Sequence, residues 1–410
     1  MIAVNALRNN EILTTLEPVA NSIGSKGMKL LADALENNTT LTTINLSTAG
    51  IGDEVAKYLG NFLRNNATLT TLRLFNNAIG VEGAKHLANG LRSNTTLTLI
   101  DLGLNKIGEE GTEYLADALR HNMGLRELYI RANEIGDEGV QHLSSAVRYN
   151  RRLITLGISN NQIGEKGVQY LSDALRKNKT LMTIELHDNK IGDQGIWHLA
   201  DALQNSMALD TLQLDSTEIG EEGAQYLAYA LRYNMTLTTL SLGFNKLGDK
   251  GVQSLIVALG YNTTLTTLNL ASNEMTANVC RQLANALRDN TTLATLELGW
   301  NRIEDIGAQY LANGLHKNRT LTKLDLMYNG IENEGVQYLA NALRKNTGLR
   351  ELDLQGNRIE EEGIQYLANT VQNNTTLTKL ILKSNNIEEE AQQNVIEIFK
   401  KNTGLKIELF

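Results

Sequence analysis

The sequence predicts an α/β solenoid: a horseshoe of 28-residue repeats with a parallel sheet on its concave face and helices on its convex face. Three observations predict it. Leucine recurs at every twenty-eighth residue from Leu13 to Leu405 without an insertion, which gives fourteen full repeats over 13–404. Within each repeat the apolar period changes once, from two residues to about 3.6. The 410 residues hold one proline and 34 glycines and show no Pro/Gly/Ser-rich or charged linker, so a chain too long for one compact core is organised by repetition.

One repeat, "LTKLDLMYNGIENEGVQYLANALRKNTG" at 321–348, justifies its elements in order. Leu324 and Leu326 alternate with polar residues, the period of a strand. Asn329 and Ile331 mark the loop that follows. Val336, Leu339, Ala340 and Leu343 fall at i, i+3, i+4 and i+7, one face of a helix. Glu334 near the helix start and Arg344 near its end suit the helix dipole, and "KNTG" supplies the turn back. One such repeat cannot bury its apolar face alone, but stacked repeats can. Strands pack about 4.8 Å apart and helices about 10 Å apart, so the stack must bend with its strands inside.

This pattern, LxxLxLxxNxIGxEGxxxLAxALRxN at a constant spacing, resembles the ribonuclease-inhibitor type of leucine-rich repeat, a subtype also found in the C-terminal regions of NOD-like receptors and in Ran GTPase-activating protein. The resemblance covers essentially the whole chain. It implies a leucine-rich-repeat solenoid that binds a protein through its concave face, as a non-catalytic scaffold, sensor or inhibitor. It leaves two alternatives: a GTPase activator similar to the Ran activator, from whose less uniform repeats this chain departs, and the ligand-sensing fragment of a NOD-like receptor. It also implies that the asparagine at repeat position 9, present in twelve of fourteen repeats and replaced by Ala49 and Thr217, bonds loop backbone along the stack.

Several motifs that look chemical have structural readings. GxxG spacings such as 108–111 recur without a following GK[ST] and form no phosphate loop. They arise from glycine at positions 12 and 15, the latter expected to let the helix start approach its neighbour. Nine N-x-[ST] sequons fall at position 26, where a turn is expected to use them. His86, His142 and His198 share position 18 of non-adjacent repeats, too far apart for a metal. Cys280, the only cysteine, lacks a nearby histidine to activate it and occupies position 16, where other repeats carry Val336, Ala308 or Ala84. Buried core is its expected place. Its stretch instead marks a seam: position 12 is glycine from Gly24 to Gly248, then Thr276, Glu304, Glu332, Glu360 and Glu388. Slightly altered curvature is expected there.

Function is expected where the repeat varies. Strand positions 3, 5 and 7 point away from the core, and position 8 sits at the strand's exit. The candidate partner-binding residues are Arg73, Phe75, Tyr129, Arg131, Glu185, His187, Asp215, Phe244, Glu297, Trp300, Asp325, Tyr328 and Asp353. Trp300 and Tyr328 occupy the same position of adjacent repeats, beside an acidic column of Glu297, Asp325 and Asp353, which suits a protein partner with a basic patch. Arg73, Phe75, Tyr129 and Arg131 form a more basic group.

No catalytic constellation, metal set or cofactor motif is found, so no enzyme is expected. A net charge of −8 argues against nucleic acid. No apolar run reaches a membrane span, one cysteine excludes a disulfide framework, and no secretory signal is seen, so a cytoplasmic monomer is expected. Residues 1–12 match the second half of a repeat helix and are expected as a half-repeat cap, or as the sign that the chain is a piece of a longer protein. Ile396, Ile398 and Phe399 suggest a C-terminal cap ending in a strand at 405–410, the whole forming one continuous domain.

Overall fold

The fold is that of a computed structural model, which describes residues 12–17, 38–205, 208–371, 374–387, 399 and 405–409. The half-repeat cap expected over 1–12 lies, but for Ile12, outside the described residues, as do Ile396 and Ile398 of the expected C-terminal cap. Phe399 is buried.

The chain divides into two compact units, Met1–Leu212 and Gln213–Phe410. In the first, strands β1 (Thr15–Leu16), β2 (Thr43–Asn45), β3 (Thr71–Arg73), β4 (Leu99–Asp101), β5 (Glu127–Tyr129), β6 (Thr155–Gly157) and β7 (Thr183–Glu185) pair in sequence order. Helices α1 (Asp53–Asn65), α2 (Val81–Leu91), α3 (Gly108–His121), α4 (Gly136–Val147), α5 (Glu165–Leu175) and α6 (Gly192–Asn205) follow the strands from β2 onward. Strand β8 (Thr211–Gln213) spans the division.

The second unit repeats the plan. Its strands are β9 (Thr239–Ser241), β10 (Thr267–Asn269), β11 (Thr295–Glu297), β12 (Lys323–Asp325), β13 (Glu351–Asp353), β14 (Lys379–Ile381) and β15 (Lys406–Glu408). Its helices are α7 (Glu221–Leu231), α8 (Gly248–Leu259), α9 (Ala277–Asp289), α10 (Glu304–Leu315), α11 (Asn333–Leu343) and α12 (Glu361–Val371). Pairing is parallel, and the register follows the repeat, as in Leu296↔Leu324 and Leu324↔Leu352. Within each unit the predicted fold class is borne out: a β/α repeat stack with a parallel sheet on one side and helices on the other.

The core is the repeated apolar set. In repeat 321–348, Leu321, Leu324, Leu326, Ile331, Val336, Leu339 and Leu343 are buried, as the two periods require. Two ladders of buried asparagine hold the connections. At position 9, Asn161 Nδ2 donates to the carbonyls of Ile130 (3.0 Å), Ile158 (3.0 Å) and Ser159 (3.1 Å), while its Oδ1 accepts from Asn133 N (2.8 Å). Each amide thus satisfies turn backbone in its own repeat and in the one before. At position 26, Asn94 Nδ2 donates to Leu63 O (2.7 Å) and Asn66 O (3.0 Å), and Oδ1 accepts from Thr96 N and Leu97 N. Asn94, Asn178, Asn262, Asn318 and Asn374 are buried and bonded in this way, which favours the turn reading over glycosylation.

A third device was not legible as such. Carboxylates at position 13 accept from the start of the next helix. Asp53 Oδ1 accepts from Gly80 N (2.6 Å), and Asp305 Oδ1 accepts from Glu332 N (2.8 Å) and Gly335 N (2.9 Å). This geometry explains the position-15 glycine. A Cβ on Gly335 would stand 2.4 Å from Asp305 Oδ1 and 2.8 Å from Ile331 Cγ2.

At the seam, Thr276 is the N-cap of α9. Its hydroxyl accepts from Asn278 N (3.2 Å) and donates to Asp249 Oδ2 (2.6 Å). Cys280 lies on the core face of α9, fully buried, and burial pushes its thiol up to about 12 with Asp249 adding to the effect. A thiolate-directed reagent should therefore label native Cys280 very slowly and the denatured chain fast. Fast labelling of the native protein would contradict the core assignment.

Candidate partner-binding face

The site-bearing surface is the solvent side of the strands, built from positions 3, 5, 7 and 8. Position 8 carries a property invisible in the period. In all thirteen repeats from Thr48 to Ser384 it adopts left-handed backbone, with φ between 49° and 65°. The strand must turn sharply into its loop there. This conformation suits glycine or asparagine and costs other residues on the order of 1–2 kcal/mol. Asn76, Asn160, Asp188 and Gly356 fit it; Phe244 (φ 55°), Trp300 (φ 58°) and Tyr328 (φ 49°) do not.

In the N-terminal unit, the Arg131 guanidinium lies over the Phe75 ring, 4.7 Å from its centroid. It reaches across Gly103, where a Cβ would stand 2.8 Å from Arg131 Cγ and 3.0 Å from Phe75 Cδ2. Tyr129 leans over Gly157 in the same way, 2.6 Å from where a Cβ would be, and its hydroxyl donates to Glu127 Oε2 at 3.0 Å. Burial, then the Glu127 carboxylate, raises the Tyr129 hydroxyl above the usual phenol range. Burial likewise raises the Glu185 carboxyl, against the pull of His187 and Arg131. His187 Nδ1 is 2.9 Å from Asp188 Oδ2, and Arg73 is exposed. The structure thus pairs Phe75 with Arg131 and sets Tyr129 beside Glu185.

In the C-terminal unit, Trp300 and Tyr328 stack with ring centroids 4.0 Å apart and planes at 22°. The other face of the Tyr328 ring rests on Gly356, where a Cβ would stand 2.3 Å from Tyr328 Cε1. Trp300 remains 50% exposed, and Phe244, two repeats earlier, is 58% exposed. Asp215 turns inward along the face. Its Oδ1 accepts from Ser241 Oγ (2.6 Å), Gly243 N (2.9 Å) and Asn269 Nδ2 (3.1 Å), so it organises its neighbours.

The acidic column is in register, Glu297↔Asp325↔Asp353, and lysines flank it. Lys323 Nζ is 2.8 Å from Glu297 Oε1, and Lys379 Nζ is 3.1 Å from Glu351 Oε1. Asp325 and Asp353 instead accept backbone bonds from Met327 N and Gln355 N, both at 2.8 Å. Burial, with Asp353 and Glu297 close by, pushes Asp325 up to about 6. The face is therefore a ladder of alternating charge in which Asp325 and Asp353 are the strained members.

A raised carboxyl favours its protonated form in the folded state, so the sign of the pH effect follows. The Asp325 contribution to stability is greatest below its unfolded value of 3.8, declines as pH rises through about 6, and is flat above. Asp325→Asn should raise the denaturation midpoint at pH 7 and leave it unchanged near pH 3.5. A lower midpoint at pH 7 would contradict this.

Sequence reasoning missed the face glycines and the lysines Lys323 and Lys379. The signal for the glycines was present: Gly103, Gly157 and Gly356 each stand next to a large residue at the same position of an adjacent repeat. Among the described residues, no group of three His, Cys, Asp or Glu could hold a metal ion.

The two units define a class of protein: a β/α repeat solenoid whose strand face is its variable surface. The family described as "Leucine Rich repeat" matches residues 37–60, 65–88, 93–116, 121–144, 177–197, 233–255, 261–278, 289–312, 317–340, 345–368 and 373–390, and the chain belongs to it. The matched stretches begin 28 residues apart where they are consecutive, as at 289, 317, 345 and 373. A similar solved structure is an internalin (inlF) from Listeria monocytogenes str. 4b F2365, with 21% identity over 92% of this chain and 88% of that one and a TM-score of 0.51, a likeness of fold. The actin-binding site 2 of leiomodin-1 aligns at 24% identity over 30% of this chain and 75% of that one, with a TM-score of 0.27. Among curated protein sequences, none matches.

Proposed function

We propose that the chain is a non-catalytic protein-binding scaffold whose strand face holds a protein partner, with Trp300 and Tyr328 as anchors. One observation carries this reading: two large aromatics are stacked and left solvent-accessible on backbone that disfavours them. Strain kept at an exposed site is a pointer to function, since nothing in the fold needs those rings. Exposed aromatics beside charged residues match the make-up of a binding hot spot. Asp325 and Asp353, which accept backbone bonds but make no ion pair among the described residues, support a partner that brings positive charge.

The ribonuclease-inhibitor subtype is our reading of the constant 28-residue spacing. A cytoplasmic location agrees with one buried thiol and no disulfide. The scaffold reading requires that the chain leave GTP hydrolysis by Ran unchanged. It also requires that a captured partner slow amide exchange on the strand side, at 295–300 and 323–328. Slowing confined to the helices would overturn it.

A further inference from the structure

The edge where the chain enters the strands is threonine-rich. Position 2 is threonine in eight of fourteen repeats. Its hydroxyl donates to the position-2 carbonyl of the preceding repeat, as from Thr70 to Thr42 O (3.0 Å), Thr98 to Thr70 O (3.0 Å) and Thr266 to Thr238 O (3.1 Å). The hydroxyl ladder stops in four successive repeats, which place Arg126, Ile154, Met182 and Asp210 there. At positions 27 and 28 the same stretch replaces the usual Thr-Thr or Thr-Gly with Arg151, Arg152 and Lys179.

These substitutions converge. Arg126, Arg151, Arg152 and Lys179 surround an open depression of about 420 Å³ whose floor includes Ile154 and Met182. Among the described residues, no carboxylate lines it. Among the described residues, none of the four cations makes an ion pair; Arg151 Nη1 reaches only the Lys177 carbonyl, at 3.5 Å. Asp210, next in the position-2 row, ends the basic run. Met182 is 43% exposed, and Met123, one repeat before Arg151 at the same position, is 56% exposed. Four unneutralised cations beside exposed methionine, on a chain of net charge −8, make a local field opposite to the molecule's own. Other repeats show that the fold does not require it.

We propose that this edge binds an acidic segment of a protein partner, which sets carboxylates against the four cations and an apolar side chain on Ile154 and Met182. Flexible, polarisable methionine suits an apolar contact of variable shape. The negative charge of the remaining surface and the apolar floor favour a peptide over nucleic acid. This surface is separate from the strand face and does not depend on the reading given to it.

The test is fluorescence anisotropy of a labelled Glu-Glu-Leu-Glu-Glu-Leu-Glu-Glu peptide titrated with the full chain. The proposal expects saturable binding that weakens at least about tenfold in Arg151→Glu/Arg152→Glu. It expects a several-fold loss when both leucines of the peptide become serine, and weakening as salt rises from 50 to 300 mM. Trp300→Ala/Tyr328→Ala should bind the peptide as the wild type does. Equal affinity in the charge-reversed protein, folded by circular dichroism, would overturn the proposal. So would equal affinity for the serine peptide, no binding at all, or displacement by a 12-base-pair duplex at a lower concentration than by unlabelled peptide.

Discussion

Asn161→Ala is expected to destabilise the protein by about 2–3 kcal/mol, because it orphans one buried N–H and takes a hydrogen bond from three buried carbonyls at once. The Asn161 amide is fully buried. It serves the carbonyls of Ile130, Ile158 and Ser159 and the N–H of Asn133. Alanine leaves the Asn133 N–H without its partner, a buried loss that costs about 1–3 kcal/mol, and leaves each carbonyl only a second donor: Asn133 Nδ2 for Ile130, Asn189 Nδ2 for Ile158 and Ala132 N for Ser159. The chain supplies its own control. Thr217 occupies the equivalent position, and its hydroxyl donates to Leu214 O at 2.6 Å. Asn161→Thr should therefore recover part of the loss. Because repeat arrays need not unfold in one step, denaturation is best read with amide exchange at Leu102–Ser159. An alanine variant as stable as the wild type, with unchanged exchange there, would refute the ladder's role.

The second large effect falls on binding. Trp300→Ala with Tyr328→Ala should weaken partner affinity at least about 100-fold, since central aromatic anchors contribute about 2 kcal/mol or more each. The same pair should change thermal stability little. The rings stack mainly on each other and on Gly356, and alanine in left-handed backbone is no worse placed than tryptophan. The separation of the two effects is the point. A residue kept for folding would move stability first, whereas one kept for recognition moves affinity first. Trp300→Phe should lose less than Trp300→Ala, because it retains the stack on Tyr328.

Most of the fold was legible in the sequence because the repeat is its own alignment. Fifteen leucines at one spacing identify the strands, and Val336, Leu339 and Leu343 mark the buried helix face. Cys280 is placed correctly by counting, since its position is apolar in eleven of the other thirteen repeats. Much of the site was less legible. Periodicity says that position 8 is exposed, but not that its backbone is left-handed; φ depends on how the strand turns into the loop. Nor does it say that Asp215 is spent on Ser241, Gly243 and Asn269, because those contacts join different repeats. The lysines that interleave the acidic column are hidden because position 3 is mostly threonine, and the exceptions at Lys323 and Lys379 acquire meaning only across the sheet, between repeats.

The central claim is that the strand face, through Trp300 and Tyr328, holds a protein partner. It is tested most directly by quantitative affinity capture with three baits from a lysate of the cell that makes the protein. The baits are the wild type, Trp300→Ala/Tyr328→Ala, and the helix-side control Tyr229→Ala/Tyr233→Ala, whose rings are exposed on or next to α7. The account predicts at least one protein retained by the wild type and the helix-side control and lost from the strand-face variant. Identical captures by all three baits, or a loss confined to the helix-side control, would contradict it.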